Sequence, residues 1–136
     1  MGTWPGATVA QDLEPEYITV AKDGKTAYVS LQENNAIAII NPKTGAVIDI
    51  VGLGLKNHSL PGNALDASDR DDAANIRDWP VHGMSMPDAI ASWKSNGRTM
   101  VASANEGDGR EYFNNAENDE DAPGAEICFI DESRIK

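Results

Sequence analysis

Along residues 16–54, EYITVAKDGKTAYVSLQENNAIAIINPKTGAVIDIVGLG, short runs rich in Ile, Val, Thr and Tyr alternate with clusters of turn-forming residues: KDGK, ENN and PKTG. Runs of this length, carrying β-branched and aromatic side chains between breakers, predict four antiparallel strands in a meander, at about 16–21, 26–32, 36–41 and 46–51. Asp23-Gly24 offers the positive backbone angles of a tight hairpin turn, and Pro42 to Gly45 offers another reversal. No helix is predicted in this segment.

The pattern then repeats. EPEYITVAKDGKTAYVSLQEN (14–34) aligns with MPDAIASWKSNGRTMVASANEG (86–107) if one extra residue is placed in the second turn. Pro15 corresponds to Pro87, Glu16 to Asp88, Ile18 to Ile90, Gly24 to Gly97, Lys25 to Arg98, Ser30 to Ser103 and Glu33 to Glu106. After a long polar loop, AEICFID repeats the third strand, AIAIIN, and no fourth strand is predicted after it. A repeat of four antiparallel strands predicts propeller blades, each burying its faces against neighbours; complete propellers use about four to eight blades of about 40–50 residues. The predicted fold class is therefore an all-β β-propeller fragment of about two four-stranded antiparallel blades, the second incomplete, with long acidic loops. Its organisation is an N-terminal segment (1–15), a blade (16–54), an acidic inter-blade insertion (55–85) and a second, incomplete blade (86–136). The partners expected are the remaining blades of a longer protein or other copies of the chain, since a lone meander with exposed apolar faces invites association.

The insertion departs from this pattern. LDASDRDDAANIRDWP, residues 65–80, has almost no apolar periodicity and holds Asp66, Asp69, Asp71, Asp72 and Asp78. It reads either as a cation-binding loop or as a solvated loop ordered by Asx-turns and Arg pairing. An EF-hand is excluded by spacing: counted from Asp66, the sixth position is Asp71 where glycine is required, and the twelfth is Arg77 where glutamate is required.

Composition narrows the partners. Across 136 residues, 22 Asp and Glu against 11 Lys and Arg give a net charge of -11, which would repel a phosphate backbone, so nucleic acid and anionic membranes are poor partners. Such a surface suits cations or basic partners, or serves solubility alone. No apolar run approaches the roughly 20 residues of a membrane span. MGTWPGATVA lacks the basic head and apolar body of a signal peptide, so any export signal is expected outside this chain. The single cysteine, Cys128, rules out an intrachain disulfide and reads as a small core residue within AEICFID rather than a reactive thiol.

The run LEPEYITVAKDGKTAYVSLQENNAIAII, with LPGNALDASDRDDAANIRDWPVHGMSMPDAIASW and ANEGDGREY, resembles the choice-of-anchor I domain family across residues 11–113, and its repeat resembles the YVTN type. The resemblance implies a secreted, periplasmic or cell-surface bacterial propeller, often labelled alkaline-phosphatase-like or mesenchyme-specific cell surface glycoprotein-like.

The repeat also places chemistry. Because the first two strands of each blade are antiparallel, the start of one and the end of the next share an edge. Glu16 and Glu33 should meet at one end of the first blade, and Asp88 and Glu106 at the equivalent end of the second. Hard oxygen donors of this kind favour calcium over magnesium or manganese. The candidate metal ligands are Asp66, Asp69, Asp71, Glu106 and Asp108, contributed by the insertion and by the second long loop, NEGDGREYFNNAENDEDAPG. The leading function is a calcium-supported binding or scaffold module. The family label motivates an alternative, a metal-dependent phosphoester hydrolase, in which Asp66, Asp69, Glu106 and Asp108 would hold the metal, His58 or His82 would handle protons and Arg110 would bind phosphate. No G-x-S-x-G elbow or P-loop accompanies these residues, and each histidine has a structural reading beside the catalytic one. NEGDGRE reads as a glycine turn before it reads as a phosphate seat. Trp79, Trp93, Met84 and Met86 read as packing between blades rather than a stacking platform.

Overall fold

The computed structural model describes residues 8–68, 70–113 and 127–130. They are nearly all β, in antiparallel sheets, and the chain divides into two compact units: Met1–Leu55 with Met84–Asp108, and Lys56–Gly83 with Gly109–Lys136.

In the first unit the meander forms as the turn clusters dictate. Strands β1 (Ile18–Val20), β2 (Ala27–Leu31), β3 (Ala36–Asn41) and β4 (Ala46–Gly52) lie side by side in sequence order. The PKTG reversal closes on Asn41, whose carbonyl accepts the amides of Thr44 and Gly45, with Gly45 at φ 70°. The first turn differs from expectation. Only Gly24 takes a positive φ, 67°, and Asp23 instead caps the Lys25 amide, so the chain makes a wider loop than a two-residue Asp-Gly turn. Between β2 and β3, ENN adopts a short 3-10 turn (Gln32–Asn34) that ends on Asn35 in the left-handed region, φ 48° and ψ 48°. Asn tolerates that conformation better than most residues, which explains its use at the reversal. Ahead of the sheet, Thr8 and Gln11 form a reciprocal capping box on the four-residue α1 (Val9–Asp12).

The core of this sheet is small. Val29, Leu31, Ala36 and Ala38 are buried together, with Leu13 and Ile40 packed against them. By contrast β4 is exposed at all seven positions, Val47, Ile48, Ile50 and Val51 included. The second repeat supplies a hairpin that packs on β1 and β2, formed by β7 (Pro87–Ser95) and β8 (Arg98–Asn105). Asn96 and Gly97, φ 48° and 76°, form its two-residue turn, the conformation that Asn-Gly favours.

In the second unit, β5 (Lys56–Asn57) pairs with β6 (His82–Gly83), and an isolated bridge joins Leu65 to Arg77. The insertion is thus a hairpin-like excursion with its ends together. β10 (Ile127–Ile130) falls where the repeat predicts a third strand, and its described partner is β9 (Glu111–Phe113), a strand the repeat does not predict. Cys128 lies on β10.

Candidate functional site

The extra residue of the second turn shifts the hairpin register. Ile18 pairs with Val29, yet its counterpart Ile90 pairs with Ser103, one position beyond the counterpart of Val29. An irregularity between Pro87 and Ile90 then takes up the difference, and Pro87 pairs with Asn105. Those two residues correspond to Pro15 and Gln32, which the β1–β2 register, extended, also places opposite each other. A bulge adds one residue to one strand, so a second one-residue change restores alignment at the far end. The acidic ends of the two repeats are therefore built alike.

The supports of that end are buried and polar. Ser30, 0% exposed, accepts the Tyr17 amide on its hydroxyl at 2.9 Å, and its carbonyl accepts the Glu16 amide at 3.1 Å. Gln32, 2% exposed, donates from Nε2 to Glu106 Oε2 at 2.9 Å. The Glu106 amide donates to Met86 O at 3.1 Å. Met86 and its counterpart Glu14 both have positive φ, 46° and 42°, immediately before Pro87 and Pro15. Such a backbone is disfavoured for non-glycine residues, and its recurrence marks the entry to each repeat as a fixed shape.

Glu16 reports what this geometry does electrostatically. Burial, then repulsion from Glu33, Asp88, Glu106 and Asp108, pushes its carboxyl above the ordinary glutamate range. Glu33, Asp88 and Glu106, which the repeat expects at this end, all repel Glu16, and Asp108 acts with them. Because the folded state holds the Glu16 proton more tightly than the unfolded chain, stability should rise as pH falls through the folded value, the gain being complete below the unfolded value of about 4.3. In EDTA, Glu16→Gln should raise the melting temperature at pH 7 by about 1–4 °C, a modest shift because the site is open to solvent, and should flatten the slope between pH 7 and pH 4. Melts of both proteins across that range check it; an unchanged slope would show that Glu16 does not carry the repulsion.

The other predicted residues belong to the second unit, to the end of the first, or lie outside the described residues. Asp66 and Asp71 belong to the second unit, where Asp66 Oδ2 accepts the Asn75 amide at 3.2 Å and Asp71 Oδ1 accepts the Ala73 amide at 3.3 Å. The Asp71 bond, two residues long, is of the Asx kind, whereas the Asp66 bond spans nine residues and joins the two sides of the excursion. Asp69 and the greater part of the second long loop, residues 114–124, lie outside the described residues. The His58 ring contacts the Asn63 carbonyl through Nδ1 and lies against Gly83, whereas His82 is exposed on β6. Trp79 donates its indole N–H to Leu65 O at 2.9 Å, and the Arg77 guanidinium sits 3.7 Å over its ring, so Trp79 packs within its own unit. Arg110 is 3% exposed, the most buried cation described. Among the described residues no three His, Cys, Asp or Glu side chains stand close enough to hold one metal ion. Ser30, Gln32 and Asn35 were not singled out as supports of the acidic end, though polar residues at the ends of apolar strands, repeated as Ser103 and Asn105, are a sequence signal for them.

No helix among the described residues is long and apolar enough to cross a membrane. The choice-of-anchor I domain family matches residues 1–134. No curated protein matches the chain, and no solved structure does.

Proposed function

The chain belongs to the choice-of-anchor I domain family, a membership that suggests a cell-surface or secreted domain, and from that premise we propose that it is a calcium-supported β-propeller binding and scaffold module. The observation that carries the cation reading is the repulsion Glu16 feels from Glu33, Asp88, Glu106 and Asp108, acids drawn from both repeats. Carboxylates held this way remain mutually destabilising until a cation neutralises them, and the donors are the hard oxygens that calcium prefers. Calcium would draw these side chains together from their present separations. The blade reading is supported by two sheets built from one repeat and by the exposure of β4 on both faces.

Thermal melting of the full chain with calcium tests it. A ligand that binds the native state at 100 times its Kd stabilises by about 2.7 kcal/mol, so saturating calcium should raise the melting temperature by about 5–10 °C and EDTA should reverse the shift. Asp108→Asn should shrink the shift. A melting temperature indifferent to calcium and EDTA would overturn the cation reading.

A further inference from the structure

The charges of the first unit are sorted to its two ends. A meander returns its first and third turns to one edge of the sheet and its second turn to the other. The cross-strand row of Val20, Ala27, Ile40 and Val47 is the last before both the first and the third turn, so KDGK and PKTG project from the same end. The second hairpin brings its own turn there. Ser92 on β7 lies level with β1, its amide donating to Thr19 Oγ1 at 3.1 Å and its hydroxyl to Val20 O at 3.2 Å, while Glu106 meets Gln32 at the opposite end. β7 therefore runs the same way as β1, and SNGR (95–98) follows Ser92 toward the end that KDGK occupies.

In or beside these three turns lie all the lysines and arginines of the first unit: Lys22, Lys25, Lys43, Lys94 and Arg98, each of them exposed. Asp23 is the one carboxylate among them, and it accepts the Lys25 amide. The acids that repel one another, Glu16, Glu33, Asp88, Glu106 and Asp108, stand at the other end. From Glu16 to Lys22 the chain advances about 20 Å at the spacing of an extended strand. Charges in water are largely screened beyond about 8 Å at physiological ionic strength. A ligand at the turns therefore meets the local cations and Asp23, and feels little of the chain's net charge of -11.

We infer that this basic end is a binding surface for an anionic polysaccharide. All of its cations but Arg98 are lysines, point charges on flexible stems, and they are spread over three separate turns. That arrangement suits negative groups spaced along a polymer better than one small anion gripped by a planar fork. KDGK, PKTG and SNGR offer no aromatic ring on which a base could stack and no large apolar side chain to enter a bilayer, which disfavours nucleic acid and membrane. A polysaccharide needs neither, and the family suggests a cell-surface or secreted domain, where acidic polysaccharides occur. The inference goes beyond the calcium reading and does not depend on it.

Binding of the full chain to immobilised heparin, a sulfated and carboxylated polysaccharide, tests it, in EDTA so that no cation can bridge the two. The chain should bind at about 0.1 M salt despite its net charge, and affinity should fall as salt rises. Lys22→Gln, Lys43→Gln and Lys94→Gln should each weaken binding about two- to threefold, and the three together about tenfold. Lys56→Gln, the same charge step in the second unit, should change it little. Circular dichroism shows whether each variant is folded. Should one fail to fold, the wild-type amide shifts decide: heparin should move residues 22–25, 43–45 and 94–98 and leave the acidic end unmoved. No binding, binding that the triple variant retains, or shifts centred elsewhere overturns the inference. Tighter binding to anionic phospholipid vesicles or to duplex DNA than to heparin, at equal salt, overturns the choice of a polysaccharide. The calcium-dependent melt stands or falls separately from all of these results.

Discussion

Asn35→Ala should cost the first unit about 3–5 kcal/mol and lower the melting temperature by about 10–20 °C, a large part of the usual stability of a domain this size. Asn35 is 6% exposed and sits in the left-handed region at the end of the turn between β2 and β3. Its Nδ2 donates to Gly54 O at 2.8 Å, and its Oδ1 accepts the amides of Ser85 and Met86 at 3.0 and 3.2 Å. One side chain thus ties the exit of the first repeat to the entry of the second. Alanine removes all three bonds, leaves two amides and a carbonyl without that partner, and adds left-handed backbone strain of about 1–2 kcal/mol. Asn35→Gly separates the two contributions: it relieves the strain and should recover only about 1 kcal/mol of the loss, because the hydrogen bonds account for the rest. Chemical denaturation of the three proteins checks both numbers. If glycine restored most of the stability, the side-chain bonds would not be what holds the repeats together.

What the sequence discloses follows how locally each feature is specified. The four strands of the meander lie between turn clusters that act over a few residues, so β1 to β4 are legible almost to their ends. The acidic end is legible for a different reason: antiparallel geometry and the repeat together bring Glu16, Glu33, Asp88 and Glu106 toward one place without knowledge of the packing. The paired irregularities of the second hairpin are not legible. Alignment shows the extra residue near Asn96, but nothing local marks the compensating bulge after Pro87. The support roles of Gln32 and Asn35 are hidden because their partners lie far along the chain, 74 residues away for Gln32 and Glu106 and 50 for Asn35 and Ser85.

The insertion is least legible. Its order comes from contacts that no periodic pattern encodes: Trp79 with the Leu65 carbonyl, Asn75 with Asp66, and His58 with Asn63 and Gly83. Aspartate-rich composition suggests a cation loop or a solvated one, and Asp66 and Asp71 each spend part of their capacity on a backbone amide. The same economy recurs at Asn57, whose side chain accepts the amide and the hydroxyl of Ser59. In this excursion polar side chains perform the ordering that apolar burial performs in the first unit. The close approach of His58 to Gly83 at its base is a sensitive point of that arrangement.

Gly83→Ala should destabilise that unit by about 1–3 kcal/mol, the usual cost of overfilling a packed position. A Cβ on residue 83 would lie 2.7 Å from His58 Nε2, closer than such atoms can stand, and a tight 3.3 Å from Cδ2. The ring cannot retreat freely, because its Nδ1 donates to the Asn63 carbonyl, and Asn63 in turn donates from Nδ2 to Asn57 O at 2.8 Å. Backbone bonds hold the neighbourhood from the other side: the His58 amide donates to Val81 O and the Trp79 amide to His58 O, both at 3.0 Å. Accommodating a methyl group must therefore break the His58–Asn63 contact or part β5 from β6. Amide exchange at His58, Trp79 and Val81 should accelerate in Gly83→Ala by about 5- to 150-fold, which is the same free energy expressed as local opening. A double-mutant cycle identifies the cause. His58→Ala will loosen the unit by itself, but Gly83→Ala should add almost nothing in that background, since the atom it would strike is gone. Additive losses would place the strain in the backbone at residue 83 and would release His58 from the structural role that its two contacts assign to it.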